Sequence, residues 1–154
     1  MKARTILASL AVLFAGVGLA FAADVQMGTW KLNEAKSKLS SWLPSGHTVV
    51  YSAAGDNIKI TVDGVDKEGK PTHNEWTGKF DGKDYPVTGD PNSDARSYKK
   101  VDDHTLKVTV KKGGKVTVTG RIVVADDGKS RTVSNSGTDS SGKKVSSTAV
   151  YDKE

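Results

Sequence analysis

Thr105-Leu106-Lys107-Val108-Thr109-Val110-Lys111-Lys112-Gly113-Gly114-Lys115-Val116-Thr117-Val118-Thr119-Gly120-Arg121-Ile122-Val123-Val124 reads as two strands and the turn that joins them. Leu106, Val108 and Val110 alternate with Lys107, Thr109 and Lys111 on the first leg. On the second, Val116, Val118, Ile122 and Val124 oppose Lys115, Thr117, Thr119 and Arg121. Successive side chains of a strand point to opposite sides, so this alternation gives each leg one apolar face and one face of Lys and Thr. Gly113-Gly114-Lys115 is the corner, because glycine enters the left-handed backbone region without a Cβ penalty. No helix follows it, so it is not a phosphate-binding loop.

The same corner recurs as Glu68-Gly69-Lys70, Asp81-Gly82-Lys83, Asp127-Gly128-Lys129 and Ser141-Gly142-Lys143. Asp or Ser before the glycine can bond the local backbone, which favours a turn. The last three copies are 14 residues apart, which leaves about ten residues of strand per leg. Together with Ala54-Gly55-Asp56-Asn57, Gly89-Asp90-Pro91-Asn92 and Asp102-Asp103, eight turns separate nine strands, and Gly28-Thr29-Trp30-Lys31-Leu32 makes a tenth. Ile58, Ile60 and Val62 share one face, with Lys59 and Thr61 on the other. One-faced strands in an unbroken meander hide that face most simply by closing, which also removes exposed edges. The expected fold is all-β: an antiparallel up-and-down meander closed into a barrel of about 8–10 strands. One short helix or lid is expected after the first strand, over residues 33–43, with Asn33 as cap and Pro44 as stop.

The amino-terminal 22 residues read as a cleavable signal peptide. Lys2 and Arg4 precede an apolar run over residues 6–19, and Ala20-Phe21-Ala22 supplies small residues for cleavage. The run is too short for a stable span, and the chain has no Cys for lipid attachment. Residues 23–154 then form a single barrel domain in the periplasm or outside the cell. Without Lys2 and Arg4 the net charge falls from +5 to +3, and 18 of the remaining 21 basic residues are Lys. Scattered Lys at turn exits is a solvated surface and not the clustered, Arg-bearing footprint of a nucleic-acid binder. An outer-membrane barrel fits poorly. Eight aromatic residues after the leader are few for two interfacial girdles, and the chain ends in Tyr151-Asp152-Lys153-Glu154.

Gly28-Thr29-Trp30-Lys31-Leu32 resembles the opening strand of the calycin superfamily, the lipocalins and fatty-acid-binding proteins. Gly55-Asp56-Asn57-Ile58-Lys59-Ile60 is similar to the third-strand region of the fatty-acid binders, and Thr148-Ala149-Val150-Tyr151-Asp152-Lys153 to their closing strand. The start and Lys36-Ser37-Lys38 also resemble exported bacterial proteins of uncharacterised role. Ala149 stands where the fatty-acid binders carry an Arg, and residues 33–46 are too few for their two-helix lid. The resemblance implies that Trp30 plugs the closed end of the barrel beneath an Arg, by cation–π stacking. Arg121 is the partner assigned to it, with Arg131 the other choice.

Trp42, Tyr51, Trp76, Phe80, Tyr85 and Tyr98 are the candidates for lining a cavity. Gly78 between Trp76 and Phe80 would leave space beside two rings, and Trp42 would cover the mouth. Simple core filling competes with this for every ring. Arg96 shares the face of Tyr98 and could hold an acidic group bidentately, whereas Arg121 faces out if its valine neighbours face in. His47, His73 and His104 show no paired spacing, so neither a metal nor a cofactor is expected. No Gly-x-Ser-x-Gly elbow and no Cys support nucleophilic catalysis, and an enzyme (a barrel hydrolase or isomerase) is the least favoured class. The expected activity is binding of a small, mainly hydrophobic molecule inside the barrel. The alternative is a filled barrel acting as a non-enzymatic envelope interaction or structural protein. Interior volume separates the two. Ligand identity and oligomeric state are not written in these residues.

Overall fold

The computed structural model describes residues 24–41, 46–66 and 68–154. Ten strands follow one another: β1 (Gly28–Lys38), β2 (Thr48–Ala54), β3 (Asn57–Val65), β4 (Pro71–Gly78), β5 (Tyr85–Thr88), β6 (Ala95–Lys100), β7 (Thr105–Lys112), β8 (Lys115–Val124), β9 (Ser130–Thr138) and β10 (Lys144–Lys153). Each pairs antiparallel with its sequence neighbours, and β1 also pairs with β10, which closes the barrel. The signal peptide lies outside the described residues. No helix among those residues is long and apolar enough to cross a membrane.

The ladder keeps inward positions in register from strand to strand. Trp30 faces Val49, Val49 faces Val62, Tyr51 faces Ile60, and Ile60 faces Trp76. Across the other half Tyr98 faces Val108, Leu106 faces Ile122, Ile122 faces Val133, and Val133 faces Ala149. Because the side-chain period is two, one register places the whole apolar set inside. Trp30, Ile60, Trp76, Leu106 and Val124 are all at most 1% exposed, and Lys, Thr and Ser cover the outside. Glycine is required at the corners, with φ +57° at Gly113 and +79° at Gly114, a region L side chains rarely adopt.

Two expectations are corrected. Residues 33–38 are strand and not the start of a helix. Asn33 does act as a local cap, its Oδ1 accepting from the Lys36 amide at 3.2 Å, but the backbone turns no further. A helix of about ten residues is marginal in water, while the edge of β10 offers unpaired amides to satisfy. β1 therefore stays on β10 through a bulge between Asn33 and Lys38. In it the Ser37 hydroxyl donates to the Asn33 carbonyl at 2.7 Å and accepts from the Val150 amide at 2.9 Å. The second correction concerns Val116, expected to face inward with Val118. Val110 pairs with Val118 but Lys111 pairs with Val116, so Thr117 is an extra residue and the parity slips. Val116 is 48% exposed.

Candidate functional site

One end of the barrel is sealed by the segment before β1. Trp30 is fully buried there, and its Nε1–H donates to the Gln26 carbonyl at 2.9 Å. Gln26, 1% exposed, donates from Nε2 to the His104 carbonyl at 3.3 Å and ties this plug to the β6–β7 turn. The arginine above Trp30 is Arg131. Its guanidinium carbon lies 4.8 Å from the Trp30 ring centre, 4.8 Å from that of Tyr51 and 5.0 Å from that of Tyr151. Arg121, assigned to this place from sequence, is exposed on the outer face of β8. The reason is parity: Arg121 alternates with inward Gly120 and Ile122, whereas Arg131 shares the inward face of Val133.

Above Arg131 is a cavity of about 110 Å³. Its walls include Val49, Ile60, Val108, Ile122 and Ala149, with Tyr51, Tyr98 and Tyr151 toward its floor. The half-buried Asn74 and Asn135 line it nearer the open end. Among the described residues no carboxylate lines it. Arg131 is 2% exposed, and among the described residues its Nε and Nη1 have no hydrogen-bond partner; neither do the Oδ1 atoms of Asn74 and Asn135. Three aromatic faces compensate part of the buried charge, but a guanidinium in a low-dielectric interior ordinarily also meets an anion. Burial pushes the Tyr51 hydroxyl up to about 12, with the Arg131 charge pulling the other way. Burial likewise raises Tyr151, whose hydroxyl donates to the Gly46 carbonyl at 2.9 Å. Both phenols are therefore neutral near pH 7 and leave the Arg131 charge unneutralised.

The candidate residues separate clearly. Tyr51, Tyr98 and Arg96 line the cavity. Arg96 is already engaged, its Nη2 donating to Asp90 Oδ2 at 3.2 Å, where Ser93 Oγ also donates. Trp76, Phe80 and Tyr85 are outside the lining and form an aromatic layer. The Trp76 ring centre is 4.7 Å from that of Tyr98, 5.6 Å from Tyr85 and 6.4 Å from Phe80. Trp76 Nε1–H donates to the Arg96 carbonyl at 3.0 Å. The space expected at Gly78 is filled: a Cβ there would stand 2.5 Å from Cγ of Tyr85. Trp42 lies outside the described residues.

Sequence reasoning left Asn74, Asn135, Tyr151 and Arg131 off the cavity lining. Strand parity carried the signal, since Arg131, Val133 and Asn135 occupy one face, as do Ala149 and Tyr151. Among the described residues no group of His, Cys, Asp and Glu converges as a metal site. His73 is exposed on β4, its Nδ1 2.5 Å from Asp63 and its Nε2 3.1 Å from Glu75.

No protein-family model matches the chain, and no curated protein matches it. Among solved structures the chain is similar to a redesigned beta barrel, at 15% identity and a TM-score of 0.48, covering 86% of this chain and 95% of that one.

Proposed function

We propose that this is an exported, calycin-like binding protein whose barrel holds one small, mainly apolar molecule by an acidic group. The observation that carries the reading is the Arg131 guanidinium, buried at the floor of an apolar-walled cavity with Nε and Nη1 unpartnered. An acidic group there would accept a charge-assisted hydrogen bond from the Nε–H or from Nη1. The Asn74 and Asn135 amides would meet any further polar atom. Arg96 is held back from this role by Asp90.

Volume limits the ligand. Ligand pockets commonly measure roughly 300–1,000 Å³, and an apolar cavity of about 150 Å³ accepts benzene. A cavity of about 110 Å³ is smaller still, so it suits a short-chain or branched acid such as propionate or isobutyrate, and neither an aromatic ring nor an extended fatty acid. The activity proposed is binding, in keeping with the described lining residues, among which no nucleophile has a base beside it.

The experiment is a titration read by Trp fluorescence, since Trp30 stacks under Arg131. Propionate and isobutyrate should bind, while isobutanol and hexadecanoate should not. Arg131→Gln should abolish the response. Binding of the neutral alcohol equal to that of the acid would defeat the reading.

The smallness of the cavity also favours a second reading, a filled barrel that works through its outer surface. Native mass spectrometry of protein taken from its own host separates the two. A reproducibly bound small acid supports the first, and an empty barrel supports the second.

A further inference from the structure

Strands β6 to β9 contain no Asp or Glu. Among their outward side chains, Lys99, Lys107 and Arg121 are exposed, and Thr109, Thr119, Ser134 and Ser136 lie between and beside them. The ladder sets Lys99 directly opposite Lys107, and Lys107 directly opposite Arg121. Neighbouring strands are about 4.8 Å apart, so three positive side chains stand in one row about 10 Å across. The row continues in hydroxyls, with Ser134 opposite Arg121 and Thr148 opposite Ser134.

Like charges directly opposite one another are unfavourable in a sheet. Among the described residues none of the three has an ion-pair partner, whereas Lys31, Lys59, Lys100 and Lys111 all do. Asp81, bridged to Lys99 on its other side, gives its carboxylate to the Tyr85 hydroxyl and the Lys83 amide. The elements around the row therefore leave its charge unmet.

We propose that this face docks a linear acidic polysaccharide. Its repeated carboxylates would neutralise Lys99, Lys107 and Arg121, and its hydroxyls would bond Thr109, Thr119 and Ser134. The face favours a glycan over a bilayer because the exposed apolar side chains flanking the row are Val101 and Val123, short side chains with no aromatic or leucine beside them to enter lipid. It favours a glycan over nucleic acid because it offers a single Arg and no aromatic surface for base stacking. The proposal is independent of the cavity.

The test uses fluorescein-labelled polygalacturonate oligomers and the purified chain at about 20 mM salt, where surface charge is weakly screened. Lys99→Gln/Lys107→Gln/Arg121→Gln should weaken binding about tenfold or more, and raising salt to about 200 mM should do the same to the parent chain. Lys31→Gln/Lys59→Gln, on the opposite side and ion-paired, should bind like the parent. Urea unfolding keeps the result interpretable: the triple variant should be as stable as the parent or more so, because repulsion is relieved. Equal affinity of triple variant and parent would overturn the proposal. So would binding to phosphatidylglycerol vesicles or single-stranded DNA in preference to the glycan.

Discussion

Arg131 on β9 stands directly opposite Tyr151 on β10, with its guanidinium carbon 5.0 Å from the centre of the tyrosine ring. Neither partner is an acid, and that single fact separates this buried arginine from Arg96, which holds Asp90 at 3.2 Å. The two should respond differently to removal. Breaking a buried pair strands a charge and costs about 3–5 kcal/mol. Arg131→Met instead removes an uncompensated charge and loses only stacking, so stability should move by no more than about 2 kcal/mol. Urea denaturation of Arg131→Met beside Arg96→Met checks this. A larger loss at Arg131 than at Arg96 would make Arg131 a structural pillar and not a ligand residue.

Trp76 is the centre of the aromatic layer, 1% exposed and against Phe80, Tyr85 and Tyr98. Trp76→Ala should cost about 3–5 kcal/mol, the usual loss for a buried large ring. Gly78→Ala probes the same layer from the other direction. Its new methyl would press on the Tyr85 ring, and overpacking of this kind costs about 1–3 kcal/mol. Pairing it with Tyr85→Ala should give a sum smaller than the two single losses, as measured by a double-mutant cycle.

The β1 bulge rests on Ser37. Its hydroxyl serves both the Asn33 carbonyl and the Val150 amide, so Ser37→Ala leaves two backbone groups short of a partner. A loss of about 1–2 kcal/mol is expected. Faster hydrogen exchange should appear at the Val150 amide while Tyr98 and Val108, on the far wall, stay protected. Uniform exchange across both walls would show that the bulge does not depend on this side chain.

His73 predicts a pH dependence. Both ring nitrogens face carboxylates, and both can donate only when the ring is protonated. Hydrogen bonds to Asp63, then to Glu75, hold its pKa above the ordinary value of 6.5, and the same contact from His73, followed by that of Lys59, lowers Glu75. A raised folded-state value means that the His73 contribution is full below the unfolded value and fades as pH rises through the folded one. The Glu75 contribution runs the opposite way, present above its unfolded value and lost as pH falls through the lowered folded one. The cluster is therefore strongest in the window between the two groups. NMR titration of the His73 ring should place its midpoint above that of a free histidine peptide, and Glu75→Gln should lower it.

Much of the barrel was legible because alternation is a backbone property. The pattern of Leu106, Val108 and Val110 against Lys107, Thr109 and Lys111 survives in the structure residue for residue. It failed where one residue breaks the count. Thr117 shifts Val116 outward, and no local signal in Lys115-Val116-Thr117-Val118 marks a bulge. The helix expectation failed for a related reason: Asn33 caps as its chemistry dictates, but the partner that decides the outcome is β10, more than a hundred residues away. At the candidate site, aromatic residues drew attention by size alone, and Trp76, Phe80 and Tyr85 proved to fill the wall. The polar atoms that matter were hidden in plain parity. Arg131 and Asn135 share the inward face of Val133, and reading them as such required trusting the alternation even where it buries a charge.

The clasp between β1 and β10 sets this barrel apart from its nine hairpin joints. Asn33 Nδ2 reaches Asp152 across 119 positions of sequence, while every other ladder joins strands adjacent in the chain. Local hairpins form quickly, and contacts between distant segments form slowly. During synthesis the first nine strands can assemble as an open, curved sheet, but β1 and β9 remain bare edges until the final segment arrives. Such edges recruit strands from other chains. A truncated copy lacking the last ten residues would thus behave as a sticky sheet and not as a weakened barrel, and Tyr151 is the latch whose late arrival ends that exposure.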